Sequence, residues 1–483
     1  MTELRKPGSG LLKEGMFALF ADYYELTMAM ADFANGNNNR ITENYFFRKI
    51  PQGSYAITAG LEQVVDFVLN ARFTEEDIEW LMQAKPNADF DENFADYLRN
   101  FRFHLDIDAI TEGTPVFPGE PIMNITGPSI EVQLLETYLL NIMNFQTLVA
   151  TKSARVVEAA EGKTVLDFGS RRAHGRDAAM LGARAATIGG VKGTSLVAAG
   201  REFDIPYVGT MAHKFVMDRP DELTAFNDYC RIFPHNAILL IDTYDTLQGA
   251  RNAVTAGKEL EERFREQGYK LTGVRLDSGN LEELSKGVRK ILDDAGMQYA
   301  KIFASNDLDE FEIDRLLKAG APIVTGANYN PLTGEGGVSA FGGVYKIVER
   351  EETGGWIPKI KFSSETAKMT QPGRKQTWRV YGDDPAKGDY ERDVIALAGE
   401  EAPARNARPL MVLITKATEN GTEQAYDFPS VKEIAAYSMA ERQRLPKQYR
   451  LIEGSARYSV EISKCLENMI DMLKEKYQKQ DIF

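Results

Sequence analysis

The chain has 483 residues, of which 43% are hydrophobic and 27% are charged, so the composition excludes an intrinsically disordered protein and a membrane-embedded one. Lysine and arginine number 57 against 71 for aspartate and glutamate, and the net charge of -14 argues against non-specific binding to nucleic acid or to an anionic membrane. The two cysteines, Cys230 and Cys465, are too few for a disulfide framework or a thiolate zinc site.

The N-terminal part of the chain reads as a mixture of helices and short strands. Lys13 and Glu14 interrupt the one apolar run near the start, so we expect no secretory signal and a cytoplasmic protein. Helical spacing covers residues 15–34, β-type runs occur at 45–48 and 55–58, and Thr74 opens a helix with a capping-box pattern. Proline and glycine punctuate residues 113–128, and a helix is predicted over 130–149. We expect residues 1–128 to form a flanking α+β domain.

From about residue 164 short apolar strands alternate with amphipathic helices. Strands are predicted at residues 164–168, 206–208, 237–241, 271–276, 300–303 and 322–325, with helices at 246–266, 280–295 and 307–319 among them. This rhythm predicts a parallel sheet, closed into a barrel or doubly wound. We expect the domain built on this parallel sheet, which would carry the active site, to span residues 129–349. A C-terminal region, residues 350–483, is expected to pack on the flanking domain and on the barrel.

Two of the predicted strands end in polar segments, where α/β folds keep their chemistry. The first ends in Asp167-Phe168-Gly169-Ser170-Arg171-Arg172, and an aromatic ring followed by two arginines suits an anionic planar ring, such as a small aromatic acid. The second ends in Gly209-Thr210-Met211-Ala212-His213, where small residues would leave the imidazole exposed at a loop. We therefore predict that His213 is catalytic.

The chain resembles the nicotinate phosphoribosyltransferase family. The matching segments are residues 21–28, 46–49, 59–61, 135–137, 150–155, 167–172, 189–194, 209–213, 241–245, 275–279, 304–307 and 342–346. Because they occur in the family's order, the resemblance is specific even though each segment alone is not. It implies an irregular (β/α) barrel flanked by an α+β domain built from the N-terminal and C-terminal parts of the chain, and a homodimer with shared active sites.

The resemblance implies transfer of a ribosyl group from phosphoribosyl pyrophosphate to nicotinate in NAD salvage. The pyridine nitrogen already has a free lone pair, so catalysis should consist of positioning and electrostatic stabilisation. We expect Asp277 to accept from ribose hydroxyls, and Asp242 to bind Mg2+ or to contact the catalytic histidine, with Asp245 the weaker metal candidate. The residues expected to bind phosphoribosyl pyrophosphate are Lys152, Arg172, Arg275, Asp277, Ser278, Gly279, Gly326, Gly342 and Gly343.

For the pyridine ring, the resemblance implies stacking between Phe168 and Tyr24 of the other subunit, with Arg171 on the carboxylate. Ser195 favours nicotinate over nicotinamide, because the related enzymes that use the amide place an acidic residue there, and a carboxylate would repel nicotinate.

For His213 the family precedent is attack on ATP, giving a phosphohistidine whose formation and hydrolysis drive the transfer, which makes the enzyme ATP-dependent and ligase-type. The cation of Lys214 is a candidate to stabilise the phosphoryl group, although the family pattern has a small polar residue there. His174 and residues 325–329 also depart from the pattern.

Two alternatives stay open from the sequence. The first alternative is an enzyme that transfers the ribosyl group to nicotinamide or quinolinate. The second is a catalytically degenerate relative that binds nucleotides. Retention of His213, Asp242 and Asp277 argues against the degenerate relative, which gains little from a phosphorylatable histidine.

Overall fold

The computed structural model describes residues 14–50, 55–84, 90–306, 308–325, 340–362, 369–383 and 388–478. In these ranges, no helix has the length and apolar character needed to cross a membrane. The strands are β1 (Arg40–Phe47), β2 (Ala56–Ile57), β3 (Asp106–Ile110), β4 (Pro115–Val116), β5 (Pro121–Pro128), β6 (Ile238–Leu240), β7 (Gly273–Leu276), β8 (Lys301–Ala304), β9 (Val324–Thr325), β10 (Gly343–Glu352), β11 (Gly355–Pro358), β12 (Lys375–Tyr381), β13 (Tyr390–Leu397), β14 (Ala407–Pro409), β15 (Met411–Thr418), β16 (Gly421–Gln424) and β17 (Val460–Ile462).

The α-helices alternate with the strands β6 to β9 and form a consecutive run between β5 and β6. They are α1 (Tyr23–Ala34), α2 (Leu61–Asn70), α3 (Glu75–Gln83), α4 (Glu92–Arg99), α5 (Ser129–Gln133), α6 (Glu136–Ala159), α7 (Arg176–Ile188), α8 (Val197–Glu202), α9 (His213–Met217), α10 (Glu222–Ile232), α11 (Thr246–Arg263), α12 (Leu281–Asp294), α13 (Glu310–Lys318), α14 (Val431–Arg444) and α15 (Lys464–Gln478).

Two of the helices expected from sequence are interrupted. The helix expected over residues 15–34 is a 3-10 helix, Glu14–Leu19, followed by α1, and the helix expected over 130–149 is divided into α5 and α6. The capping box expected at Thr74 is present, since Thr74 Oγ1 accepts from the N–H of Asp77 at 3.1 Å and the Asp77 carboxylate accepts from the N–H of Thr74 at 2.9 Å.

The middle of the chain forms the expected parallel α/β core. Strands β6, β7, β8 and β9 pair in parallel in chain order. Three preceding segments add isolated parallel bridges, Asp167 to Thr194 and Thr194 to Tyr207. Single bridges in place of regular ladders make this core irregular, and the expected fold class of an irregular α/β barrel is confirmed. Helices α11 and α12 pack on its strands, and the buried strand residues are mostly apolar, which is why the strands were recognisable as short apolar runs.

A helix of this core packs against the backbone that carries Asp242. Gly249 in α11 lies so close to the preceding strand end that a Cβ atom added there would sit 2.1 Å from the carbonyl oxygen of Ile241. We expect Gly249→Ala to lower the free energy of unfolding by about 1–3 kcal/mol, measured by urea denaturation, because the helix must shift away. The matched control is Gly182→Ala in α7, where the added carbon meets Phe145 at an ordinary 3.7 Å. Equal losses in both variants would contradict the packing argument.

The flanking domain is built from both ends of the chain, as expected. Its seven-stranded sheet has the order β11-β10-β1-β5-β3-β15-β16 among the described residues. Neighbouring strands in this sheet pair antiparallel. The boundary expected at residue 349, between the barrel and the C-terminal region, falls inside strand β10. This strand pairs with β1 from Gly343 to Arg350. The finer domain division therefore stays a prediction.

The C-terminal region contacts both other parts through buried arginines. Its sheet has the order β14-β12-β13-β17. Arg379, with no exposed side-chain surface, pairs with Asp393 at 2.6 Å and donates to the carbonyl oxygen of Pro115 at 2.8 Å, which ties this sheet to the flanking domain. Arg442 of α14 donates to the carbonyl oxygen of Ala154 in α6 at 2.9 Å. The two hydrogen bonds to backbone carbonyl oxygens thus join the C-terminal region to the flanking domain and to the helix α6.

Candidate active site

The three residues expected to be catalytic come together at the carboxyl ends of the core strands. His213 begins α9, and its imidazole is 39% exposed. Its Nε2 atom lies 4.0 Å from Asp242 Oδ1 and 3.9 Å from Asp277 Oδ2, while its Nδ1 atom lies 3.1 Å from Thr243 Oγ1. The histidine follows the segment containing Tyr207, and the two aspartates follow β6 and β7, so three separate βα units contribute one cluster.

Asp242 is oriented by the loop of the neighbouring strand. Its Oδ2 atom accepts hydrogen bonds from the N–H of Asp277 at 2.8 Å and from Ser278 Oγ at 2.7 Å. Its Oδ1 atom faces His213 and is buried without a hydrogen-bond partner in the part of the chain that the structure describes. A buried carboxylate oxygen without a partner carries a desolvation cost. The arrangement therefore keeps one oxygen ready for a proton donor or a cation.

Arg275 and Asp277 form a partly buried charge pair beside this oxygen. Arg275 Nη2 donates to Asp277 Oδ1 at 2.9 Å, and Arg275 Nε donates to Ser305 Oγ at 2.7 Å. Ser305 Oγ in turn donates to Asp277 Oδ1 at 2.6 Å, and Arg275 Nη1 donates to Thr210 Oγ1 at 3.3 Å. Arg275 and Asp277 therefore lie in one site, and Arg275 is held mainly by protein groups. The role of Arg275 at the sugar-phosphate stays a prediction.

The turn after β7 brings its backbone close to the cluster. Gly279 has φ +79°, a conformation that glycine adopts without strain, and a Cβ atom there would lie 2.8 Å from Leu284 Cδ1. Asn280 then caps α12 by accepting from the N–H of Glu283 at 3.3 Å. Ser278 and Gly279 are exposed at this turn, next to Asp277.

The turn predicted to bind an aromatic acid is anchored by a buried carboxylate. Asp167 accepts from the N–H of Gly169 and from Thr194 Oγ1, each at 2.8 Å. Burial raises the pKa of Asp167, and these two hydrogen bonds oppose the shift. The guanidinium carbon of Arg275 lies 5.8 Å from the centre of the Phe168 ring. The turn thus places an aromatic face beside the Arg275 and Asp277 pair.

The other predicted ring-binding groups surround this turn. Arg171 and Arg172 are exposed on the 3-10 helix Gly169–Arg172. The backbone N–H of Ser195 donates to the carbonyl oxygen of Asp167 at 2.8 Å, and the Ser195 side chain is exposed. The structure therefore brings Ser195 to the start of the turn, although the residue follows a different core segment.

Lys152, expected to bind phosphoribosyl pyrophosphate, has a buried partner elsewhere. Its ammonium contacts the carboxylate of Glu310, which has no exposed side-chain surface, and Arg155 Nε donates to the same carboxylate at 3.1 Å. These contacts fasten α6 to α13. The role of Lys152 in substrate binding stays a prediction, and the structure gives this residue a packing role.

Two of the glycines expected at the phosphates lie at the start of β10. A Cβ atom at Gly343 would sit 2.0 Å from Asn144 Oδ1 and 2.6 Å from Tyr45 Cε2, so close packing accounts for this glycine. Gly342 is exposed, and no atom of the described residues lies within 4 Å of the position that a Cβ atom would take there. Gly326 and the departures at residues 326–329 lie outside the described residues.

Three further residues that the sequence predicted in the site, Tyr24, Asp245 and Lys214, each contact groups outside the His213 cluster. Tyr24 is 45% exposed on α1, and burial together with the Glu136 carboxylate raises the pKa of its hydroxyl. Asp245 caps α11, since its Oδ1 accepts from the N–H of Gln248 at 2.7 Å, and its metal role stays a prediction. The ammonium of Lys214 pairs with Asp218 at 2.9 Å and not with His213. Within the described ranges, no group of three or more His, Cys, Asp or Glu side chains is arranged to hold a metal ion.

Sequence reasoning did not assign roles to three further hydroxyl groups of this site. Thr210, Thr243 and Ser305 each hydrogen bond to a predicted site residue. All three lie in segments that carry the family resemblance, each beside a strand end. Their position beside a strand end was the signal in the sequence that could have pointed to them. Which group each hydroxyl contacts, however, depends on how separate βα units pack together.

Comparison with known proteins identifies the family. The model of the nicotinate phosphoribosyltransferase (NAPRTase) N-terminal domain matches residues 19–144, and that of the nicotinate phosphoribosyltransferase (NAPRTase) family matches residues 164–314. The chain is 37% identical over 482 residues to nicotinate phosphoribosyltransferase of Bacillus subtilis (strain 168), covering 96% of each. It is 38% identical over 454 residues to nicotinate phosphoribosyltransferase pncB2 of Mycobacterium tuberculosis, covering 94% of this chain and 93% of that protein.

The crystal structure of human nicotinic acid phosphoribosyltransferase has the same fold. It matches with a TM-score of 0.80 and 28% identity, over 94% of this chain and 99% of that one. Fold and site together define an α/β-barrel enzyme with a polar cluster at the carboxyl ends of its strands. The chain belongs to the nicotinate phosphoribosyltransferase family.

Proposed function

We propose that this chain forms nicotinate mononucleotide and pyrophosphate from nicotinate and phosphoribosyl pyrophosphate, in the salvage of NAD. One observation carries the proposal: His213, Asp242 and Asp277 converge beside the turn that presents Phe168. The relatives named for this activity align with nearly the whole chain. We include in the proposal a cytoplasmic homodimer.

The transfer itself requires positioning and no general base. The lone pair of the pyridine nitrogen forms the bond to C1′ of the ribose while the bond from C1′ to the pyrophosphate oxygen breaks, and pyrophosphate leaves with the electron pair. Asp277 Oδ2 is the oxygen turned toward the cluster, so we assign it to the ribose hydroxyls, while Oδ1 stays with Arg275 and Ser305. The exposed turn of Ser278 and Gly279 is assigned to the phosphates.

We assign the nicotinate ring to the face of Phe168 and its carboxylate to Arg171. Stacking orients the planar ring, and a guanidinium matches the two oxygens of a carboxylate. Tyr24 of the partner subunit is assigned to the opposite face of the ring. Its half-exposed position on α1 supports this assignment, since the ring is available to a second copy of the chain.

The oxygen atoms of the cluster fit Mg2+. This ion takes carboxylate oxygens and water and is commonly held by one or two carboxylates with substrate phosphates. The buried Oδ1 of Asp242, which has no hydrogen-bond partner among the described residues, is the first candidate ligand, and Asp245 is the second. When bound, the ion would neutralise charge on pyrophosphate.

We assign His213 as the nucleophile that takes a phosphoryl group from ATP. The exposed edge of its ring and the adjacent carboxylates support this role. Phosphohistidine formation and hydrolysis would then couple ATP to the formation of the mononucleotide.

The deciding experiment measures mononucleotide formation from phosphoribosyl pyrophosphate and Mg2+ with nicotinate, nicotinamide or quinolinate, each with and without ATP. Product from nicotinate, raised by ATP with matching release of ADP, is the expected result. Product from another pyridine would overturn the assignments of Arg171 and Ser195. Inactivity of the folded, magnesium-supplied protein with all three would overturn the proposal and favour a nucleotide-binding relative without catalysis.

Ser195 provides a test of substrate choice. We expect Ser195→Asp to raise the KM for nicotinate at least about 10-fold, because a carboxylate beside the Phe168 turn repels the substrate's own carboxylate. The same change should improve use of nicotinamide, whose amide can donate to the new carboxylate. Ser195→Asn, which has a similar size and no charge, is the control. If Asn raises the KM as much as Asp does, the effect is steric and the charge argument fails.

A further inference from the structure

The start of helix α1, which carries Tyr24, is held by a residue of helix α6. The backbone N–H of Asp22 donates to Thr137 Oγ1 at 3.1 Å, and this hydroxyl in turn donates to the carboxylate of Glu25. The backbone N–H of Thr137 donates to the same carboxylate oxygen, Glu25 Oε1, at 3.1 Å. A single threonine therefore contacts the residues on both sides of the pair Tyr23 and Tyr24.

Helix α1 lacks the side-chain cap that usually fixes the start of a helix. Asp22 occupies the N-cap position with φ −68° and ψ 143°, but its side chain accepts no hydrogen bond from the first turn. Aspartate at this position commonly accepts such a bond and thereby orients the first turn. Thr137, in the first turn of α6, supplies an anchor from outside the helix instead.

The carboxyl group of Glu25 is the buried end of this anchor. Glu25 has no exposed surface, and its Oε2 atom has no hydrogen-bond partner among the described residues. Burial raises the pKa of Glu25 to about 7, and the hydrogen bonds from Thr137 oppose this rise. Loss of the Thr137 hydroxyl would take one donor from a buried group that already has few, which is costly. A change at Thr137 is therefore transmitted to the first turn of α1.

Tyr24 lies between the two anchored residues, and its side chain is 45% exposed. Surrounding side chains cover only part of the ring, so its position depends on the backbone that carries it. Burial and the carboxylate of Glu136, the residue before Thr137, raise the pKa of the Tyr24 hydroxyl, so the same turn of α6 also reaches the tip of the ring. Resting on the proposed function, in which Tyr24 stacks on nicotinate in the site of the other subunit, we propose that Thr137 is a positioning residue for the Tyr24 ring.

The test measures kcat and the KM values for nicotinate and for phosphoribosyl pyrophosphate in the full-length protein. Thr137→Val keeps the shape of the side chain without the hydroxyl, and Thr137→Ser keeps the hydroxyl. Asp22→Pro removes the N–H that donates to Thr137, and the φ of −68° at this position already suits proline. Thr74→Val is the control, because it removes a hydroxyl that anchors the start of α3, where no substrate contact is assigned.

We expect Thr137→Val and Asp22→Pro to raise the KM for nicotinate about 3- to 10-fold, the scale of one lost aromatic stacking contact. The KM for phosphoribosyl pyrophosphate should stay at the parental value, because Tyr24 is assigned to the pyridine ring alone. Thr137→Ser and Thr74→Val should keep the parental KM for nicotinate. In a Tyr24→Ala background, Thr137→Val should add no further increase, since a double-mutant cycle shows whether one residue acts through another.

The outcomes separate the role of Thr137 from the proposals on which it rests. A parental KM for nicotinate in folded Thr137→Val, or an equal rise with and without the Tyr24 ring, would overturn the role of Thr137 alone. If Thr137→Val does not fold, Asp22→Pro decides by the same criteria. A parental KM in Tyr24→Ala would overturn the assignment of Tyr24 and the role of Thr137 with it. A parent that forms no product from nicotinate would overturn the proposed function itself.

Discussion

Replacement of His213 by alanine is expected to remove the stimulation of mononucleotide synthesis by ATP and to leave only slow, ATP-independent transfer. The ring is the nucleophile, and no other imidazole is assigned to this cluster, so ATP hydrolysis should fall at least about 1000-fold. The ribosyl transfer uses the lone pair of nicotinate itself, and it therefore continues at a low rate. The measurement is the initial rate with and without ATP, together with ADP release and acid-labile phosphate on the protein.

His235→Ala is the control for this experiment. His235 lies exposed in the 3-10 helix Pro234–Asn236, with its ring centre 6.5 Å from that of Tyr269, and it has no assigned part in the reaction. The control should respond to ATP like the parent. Stimulation of His213→Ala by ATP to the parental extent would refute the role of His213.

Asp242→Asn is expected to lower kcat/KM by about 100-fold, the scale seen when a group that orients or balances a reactive site is lost. Asparagine can still accept from the N–H of Asp277 and from Ser278 Oγ through its one carbonyl oxygen. It cannot supply the negative oxygen that faces His213, so the loss is one of charge. The measurement is a full rate profile at several Mg2+ concentrations, with a higher Mg2+ requirement expected in the variant.

Asp245→Asn tests the weaker candidate ligand by comparison, because it makes the same change of charge three positions along the chain. Asparagine caps a helix as well as aspartate does, so α11 should keep its cap. We expect activity within about threefold of the parent, because exchanging aspartate for asparagine at a helix cap changes the stability of the helix by only about tenths of a kcal/mol. A loss equal to that of Asp242→Asn would move the metal-binding role to Asp245.

The core of the fold could be predicted well from local pattern. Strands expected at residues 237–241, 271–276 and 300–303 occur as β6, β7 and β8. Short apolar runs between amphipathic helices are typical of buried parallel strands and of few other structures. The helix expected over residues 15–34 failed as a single element because apolar spacing alone does not reveal where the chain turns between a 3-10 helix and α1.

Single residues were harder to assign than elements. Lys152 was expected at a phosphate, and the structure pairs it with Glu310, a residue far along the chain. Gly343 was expected to offer its N–H to a phosphate, and its Cα lies against Asn144 and Tyr45. A lysine or a glycine suits packing as well as binding, and only the neighbours distinguish the two.

The sequence by itself determined the family, the α/β class and the polar residues that end the core strands, because ordered motifs and hydrophobic period are properties of the chain. The tertiary structure alone decided that Nε2 of His213 faces two carboxylates and that Nδ1 lies beside Thr243 Oγ1. It also decided that one oxygen of Asp242 has no hydrogen-bond partner within the described part of the chain. These relations join side chains from three separate βα units. Their distances depend on how the strands pair and the helices pack, and no local pattern of residues encodes them.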